Sequence, residues 1–233
     1  MKIAVIGATG ATGKEVLTRA LELNHEVIAV ARRPEKIVND SRLTIKQGDV
    51  LDLQSIQNAI KGADAVISCI GPPSNNSQNT SNYGFKNIVA GIKVMRANFT
   101  PGTVMSEGMP NIVKACKQAG VKQLVMQSGI NLTDGKELNA VNRVMVKIMR
   151  MIFSNAIKDK EIAEKAVIHS DLQWVIVRAS VLKYGSKSLK YTAGPRARIA
   201  PLEQIPFADC ADSLVRAASS EDEWVKKIIN VGK

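Results

Sequence analysis

A strand that runs straight into three evenly spaced glycines constrains this chain more than any other feature. Lys2-Ile-Ala-Val-Ile6 is followed by Gly7-Ala-Thr-Gly10-Ala-Thr-Gly13, and a helical pattern begins at once. Glycines allow positive φ and close backbone approach. The unpaired N–H groups at a helix start then meet a pyrophosphate with the positive end of the helix dipole. The spacing is GxxGxxG rather than the commoner GxGxxG, so its weight comes from its place between a strand and a helix. Thr9 and Thr12 add hydroxyls to the same turn.

Such a cradle calls for a parallel sheet, and the rest of the chain supplies one. Strand-length apolar runs alternate with amphipathic stretches. Strands are expected at Lys2 to Ile6, Glu26 to Val30, Leu43 to Gln47, Ala65 to Ile70, Gln123 to Gln127, Trp174 to Arg178 and Lys227 to Val231. Helices are expected at Thr12 to Leu23, Leu53 to Lys61, Ser106 to Ala119, from about Leu138 to His169, and at Ala208 to Ser219. The 233 residues, 45% of them hydrophobic, suit one doubly wound α/β domain over 1–233. One stretch breaks the rhythm. Polar residues from Pro72 precede Gly84-Phe-Lys-Asn-Ile-Val-Ala-Gly-Ile-Lys93, which resembles Gly108-Met-Pro-Asn-Ile-Val-Lys-Ala-Cys-Lys117. Residues 73–102 therefore read as an insertion with an extra helix, arising by local duplication or by chance likeness of two amphipathic helices.

The net charge of +11 raises nucleic acid or a membrane surface as partners, but the basic residues are scattered and aromatics make up only 4%. Stacking platforms are lacking, so the charge reads as a solvated surface that attracts anionic small molecules. No run approaches the ~18 apolar residues of a membrane helix, and no signal-peptide pattern opens the chain. A cytoplasmic monomer or weak homo-oligomer is expected. Cys69, Cys116 and Cys210 sit among apolar residues and read as core thiols. With only His25 and His169 beside them, both read as surface residues, no metal site is expected.

The end of the second strand reports on the adenine ribose, since an acid there accepts from a free 2′-hydroxyl and arginine pairs with a 2′-phosphate. Val30-Ala-Arg32-Arg33-Pro-Glu-Lys36 has no acid at the tip and three cations nearby, which favours NADP(H) over NAD(H). Asp49, after the third strand, is placed to bond the adenine amino group, and Gly71, after the fourth, to let a ribose approach. Arg178 emerges from a buried strand at its ligand-binding end, either to hold an acidic substrate or to pair with a carboxylate such as Glu164. Tyr184, Tyr191 and Phe207 are the aromatics in line for a substrate wall within a substrate-side segment, residues 178–207, or for packing.

The glycine turn, the Arg32 turn, Gly48-Asp49-Val50, Gly71, Thr103-Val-Met-Ser-Glu-Gly108 with Asn111-Ile-Val113, and Gly120-Val121 together resemble the atypical short-chain dehydrogenase/reductases with an NAD(P)H-binding domain. The Thr103 to Val121 segment is most similar to their biliverdin-IXβ reductase/flavin reductase branch, and the chain is more loosely similar to NmrA-like proteins. The resemblance implies a Rossmann-type reductase passing hydride from NADPH to a flavin, tetrapyrrole, quinone or similar conjugated acceptor. The NmrA-like alternative is a non-catalytic NADP(H) sensor. Carried across, the cofactor-binding positions are Gly7, Thr9, Gly10, Ala11, Thr12, Gly13, Arg32, Arg33, Lys36, Asp49, Val50, Ile70, Gly71, Pro72, Met105 and Ser128. Ser128 also aligns with the first of two adjacent hydroxyl positions of the family, as its candidate catalytic serine, while Gly129 takes the second. The Tyr-x-x-x-Lys pair of classical members is absent, because Asn87, Ser188 and Pro195 stand four residues after the three tyrosines. The proton for a flavin or tetrapyrrole is then expected from solvent.

Overall fold

The computed structural model describes residues 1–37, 40–71, 103–133, 139–152, 154–219 and 222–233. Its seven expected strands form as β1 (Lys2–Ile6), β2 (Glu26–Ala31), β3 (Leu43–Gln47), β4 (Ala65–Ser68), β5 (Gln123–Gly129), β6 (Gln173–Ala179) and β10 (Lys227–Gly232). All seven run parallel, in the order β3-β2-β1-β4-β5-β6-β10. An eighth strand closes the far edge. β8 (Thr192–Pro195) pairs antiparallel with β10, and its terminal proline is tolerated because an edge strand needs no donor on its outer side. The doubly wound parallel sheet expected from the sequence is present, with this one antiparallel strand added at its edge. A separate parallel pair joins β7 (Leu182–Lys183) to β9 (Ile205–Pro206).

The helices are α1 (Ala11–Glu22), α2 (Leu53–Ile60), α3 (Val104–Ala119), α4 (Ala140–Ile152), α5 (Ser154–Ile168) and α6 (Phe207–Ser219). The long helix expected from about Leu138 to His169 corresponds to α4 and α5, which flank residue 153, outside the described residues; on α4, Val141, Val144, Ile148 and Met151 lie exposed. The expected helix around Gly84 to Lys93, like Pro72 and the rest of the 73–102 insertion, falls outside the described residues.

Alternate residues of each central strand point to opposite layers. Ile3, Val5, Ile67, Val125 and Val177 pack with α1 and α6; Ala4, Ile6, Val66, Leu124, Met126 and Ile176 pack with α2, α3 and α5. The result is one doubly wound domain of Rossmann type. Gly108 lets α3 lie against the turn after β3: a Cβ there would come within 2.7 Å of Val50 Cγ2, and Asn111 Nδ2 donates to Val50 O at 2.9 Å. Gly108→Val is accordingly expected to lift α3 from that turn and lower stability by about 1–3 kcal/mol, read by thermal denaturation.

Candidate functional site

The chain leaves β1 toward β2 and β3 on one side and toward β4 and β5 on the other, so the crevice beyond the carboxyl end of β1 is the sheet's switch point. The glycine turn lies there. Gly7 has φ +83, and a Cβ on it would meet Cys69 O at 3.0 Å. A Cβ on Gly13 would lie 2.2 Å from Gly7 O, so the first turn of α1 sits directly on the loop. Gly7 and Ala8 donate to Val30 O, Gly10 donates to Gly7 O, and Lys14 is the first N–H of α1 to reach back to Gly10 O. No side chain caps α1 and no acid stands in its first turn, whereas Asp52 caps α2 through Ser55 N–H. The N–H groups at the start of α1 thus face the crevice with a positive dipole end. This is the cradle a pyrophosphate requires. Thr9 is half-buried beside it, and Thr12 is buried under it.

Past the ends of β2 and β3 lies a cavity of about 210 Å³ lined by Arg32, Gln47, Gly48, Asp49 and Ser55. Arg32, Arg33 and Lys36 are exposed, and none is in an ion pair among the described residues. Asp49 Oδ1 accepts from Leu51 N–H, and Asp49 N–H donates to Ser55 Oγ, which fixes the turn. Gln47 Nε2 donates to Arg32 O. Gln47 and Ser55 were not singled out in the sequence; a polar side chain at the end of a strand or in the first turn of a helix carries no signal of its own.

On the other side of the switch point, β4, β5 and β6 end in polar residues on the α3/α5 face. Ser68 Oγ and Ser128 Oγ are buried without a hydrogen-bond partner among the described residues. Arg178 donates to Glu164 through Nε at 3.1 Å and Nη2 at 2.6 Å, with the carboxylate only 4% exposed. Of the two roles open to Arg178, the ion pair is the one formed, and its charge is matched before any substrate arrives. Asp159 accepts from Ser106 N–H at 2.7 Å and Met105 N–H at 3.3 Å, which ties α5 to the start of α3. Lys160 follows it in α5. A Cβ at Gly129 would lie 3.3 Å from Lys160 Nζ and 2.8 Å from Asn131 Oδ1, itself unpartnered. Glycine in the family's second hydroxyl position thus makes room for an ammonium. Burial pulls the Lys160 pKa below the usual lysine value despite Glu164 and Asp159 nearby.

The remaining expected residues divide. Ile70 is half-buried and Gly71 exposed at the crevice, with no atom of the described residues within 4 Å of a Cβ built on Gly71. Val50 and Met105 are buried in the α2/α3 layer, where they support the site from beneath. Tyr184 is 54% exposed beyond β7, with its ring 5.0 Å from that of Phe207. Tyr191 turns away: its hydroxyl donates to Asp212, which also holds Arg19 at 2.6 Å. His25 is half-buried, and His169 is exposed at the end of α5. Burial pushes the Cys116 and Cys210 thiols up to about 12, as for inert core side chains.

Residues 7–221 match the model of the NAD(P)H-binding family, so the chain belongs to that family. It is 30% identical over 186 residues to an uncharacterized chloroplastic protein of Arabidopsis thaliana, covering 78% of this chain and 59% of that one. Among solved structures, the anaerobillin reductase ChuY from Escherichia coli O157:H7 superposes with a TM-score of 0.72 at 17% identity, over 100% of this chain and 97% of that one. A wide-type short-chain dehydrogenase/reductase from Veillonella parvula, in complex with NADP, gives 0.70 at 16% identity over 100% and 94%. These likenesses show the fold. No helix among the described residues is long and apolar enough to cross a membrane.

Proposed function

We propose that this protein is an NADP(H)-dependent reductase whose acceptor is a flavin, a linear tetrapyrrole, a quinone or a similar conjugated small molecule. The observation that carries the reading is one continuous crevice edge, with an uncapped glycine cradle at its centre. A turn with no acid at the strand tip, carrying Arg32, Arg33 and Lys36, stands beside the β3-end cavity on one side, and polar groups without a partner among the described residues end β4 and β5 on the other. The cradle fits the cofactor, because a Cβ at Gly7 or Gly13 would close it. Gly7, Gly10 and the first turn of α1 would hold the pyrophosphate, Arg32 with Arg33 and Lys36 the 2′-phosphate, and Asp49 the adenine side. Bound there, NADPH would supply a hydride to the acceptor.

Two measurements test this. Arg32→Asp is expected to weaken NADPH by about 10- to 100-fold, the worth of charged hydrogen bonds, and to leave NADH little changed. Equal losses would show that Arg32 does not read the 2′-phosphate. Purified protein is expected to oxidise NADPH with at least one of FMN, a quinone or a linear tetrapyrrole. Tight NADP(H) binding without turnover on any of them would instead favour the NmrA-like sensor.

A further inference from the structure

One helix turns apolar side chains outward. Val141, Val144, Ile148 and Met151 of α4 are between 42% and 75% exposed. Spaced by three, four and three residues, they fall within roughly a quarter of the helix circumference. Val146, on the opposite side, is buried against the domain. Large apolar side chains gathered in one exposed stripe mark an interaction surface. The charges around the stripe say what it meets. α4 carries Arg143, Lys147 and Arg150 and no acid. Arg143 and Lys147 are exposed, and Lys147 stands at the edge of the stripe, next to Ile148 and one turn from Val144. Arg150 donates to Glu161, which fastens the end of α4 beside the outward side of α5, where Lys158, Ile162 and Lys165 are exposed. Over the whole chain the cations are scattered; here they border an apolar stripe.

We propose that α4 is an interfacial helix that docks this protein on an anionic lipid surface. The inference stands apart from the reductase reading. At 13 residues the helix is too short to span a bilayer. It suits one lying in the headgroup plane, with its apolar stripe at the acyl boundary and its lysine and arginine stems reaching up to phosphate. Charge decides against the other occupants. A second copy would set Arg143 and Lys147 against the same cations, in a chain whose net charge is +11. Residues 73–102, which hold the apolar run Phe85, Ile88, Val89 and Ile92, bring Lys86, Lys93 and Arg96 and no acid. An anionic bilayer accepts both parts of the pattern, the apolar stripe and the cations beside it.

The test is co-sedimentation of the full chain with vesicles of phosphatidylcholine alone and of phosphatidylcholine mixed with phosphatidylglycerol. Wild type is compared with the double variant V144S/M151S and with K147E, alongside thermal melts and light scattering in solution. Wild type is expected to bind the mixed vesicles about tenfold or more tightly than the neutral ones, an advantage that fades as salt rises. On the mixed vesicles V144S/M151S is expected to lose about tenfold or more, and K147E about fivefold or more. Both variants are expected to melt with the wild type, since all three side chains are exposed. Binding to mixed vesicles that V144S/M151S leaves intact would reduce the attraction to net charge and overturn the role of α4. Equal binding to both kinds of vesicle would overturn the choice of an anionic surface. A wild type that binds neither overturns the proposal outright. Dimers that V144S/M151S dissociates would then give the stripe to a second copy, and a monomer that the double variant destabilises would give it to this chain's own residues.

Discussion

Gly13→Ala is expected to abolish measurable NADPH binding and to lower the melting temperature even without ligand. The added methyl would lie 2.2 Å from Gly7 O and 3.0 Å from Ala8 Cα. Both are backbone atoms of the cradle, so no side chain can swing aside; either α1 slides away from β1 or the loop opens. Overpacking of this kind costs about 1–3 kcal/mol in stability. Displacing the first-turn N–H groups removes the main phosphate contacts, so an affinity loss of about 100-fold or more is expected. Gly71→Ala is the control. Its methyl meets no atom of the described residues within 4 Å, so the melting temperature should hold while any loss of affinity reports a contact with the ligand itself. Equal thermal effects in the two variants would contradict the geometry.

Glu164→Ala is the second large expected effect, at about 3–5 kcal/mol in urea unfolding. The carboxylate takes both hydrogen bonds of the Arg178 fork and is 4% exposed, so its removal leaves a partly buried guanidinium unmatched. The double variant Glu164→Leu with Arg178→Met is expected to recover most of that loss, because well-packed apolar residues replace such pairs at little or no cost. It also decides the part played by Arg178. NADPH oxidation that survives in the double variant would fix the pair as structural, and a selective rise in KM for an anionic acceptor would give Arg178 a substrate.

The parallel sheet was legible because each inner strand is a short β-branched run with a glycine or polar turn beyond it, as in Lys2–Ile6 and Ala65–Ser68. The cradle was legible because its three glycines stand between such a strand and a helix. β8 was not, since Thr-Ala-Gly-Pro has no strand pattern and pairs only because β10 offers an open edge. Lys160 was hidden for a different reason. Asp-Lys-Glu at 159–161 reads as a charged, solvated stretch of helix, and the pairing of Asp159 with the first N–H groups of α3 is a contact distant in sequence. The two roles of Arg178 could not be separated without knowing that Glu164 lies across from it. In each case the missing information was a partner distant in sequence, which local pattern does not carry.

The bare start of α1 bears on how long the protein lasts in a cell. A helix left without a cap is finished by whatever phosphate settles on it, so the nucleotide is also the last piece of the folded chain. Ligand at 100 times its Kd adds about 2.7 kcal/mol to folding. A cell short of the nucleotide would hold a larger unfolded fraction, open to proteases. Abundance would then follow supply, and the amount of protein present would itself record the state of the nucleotide pool.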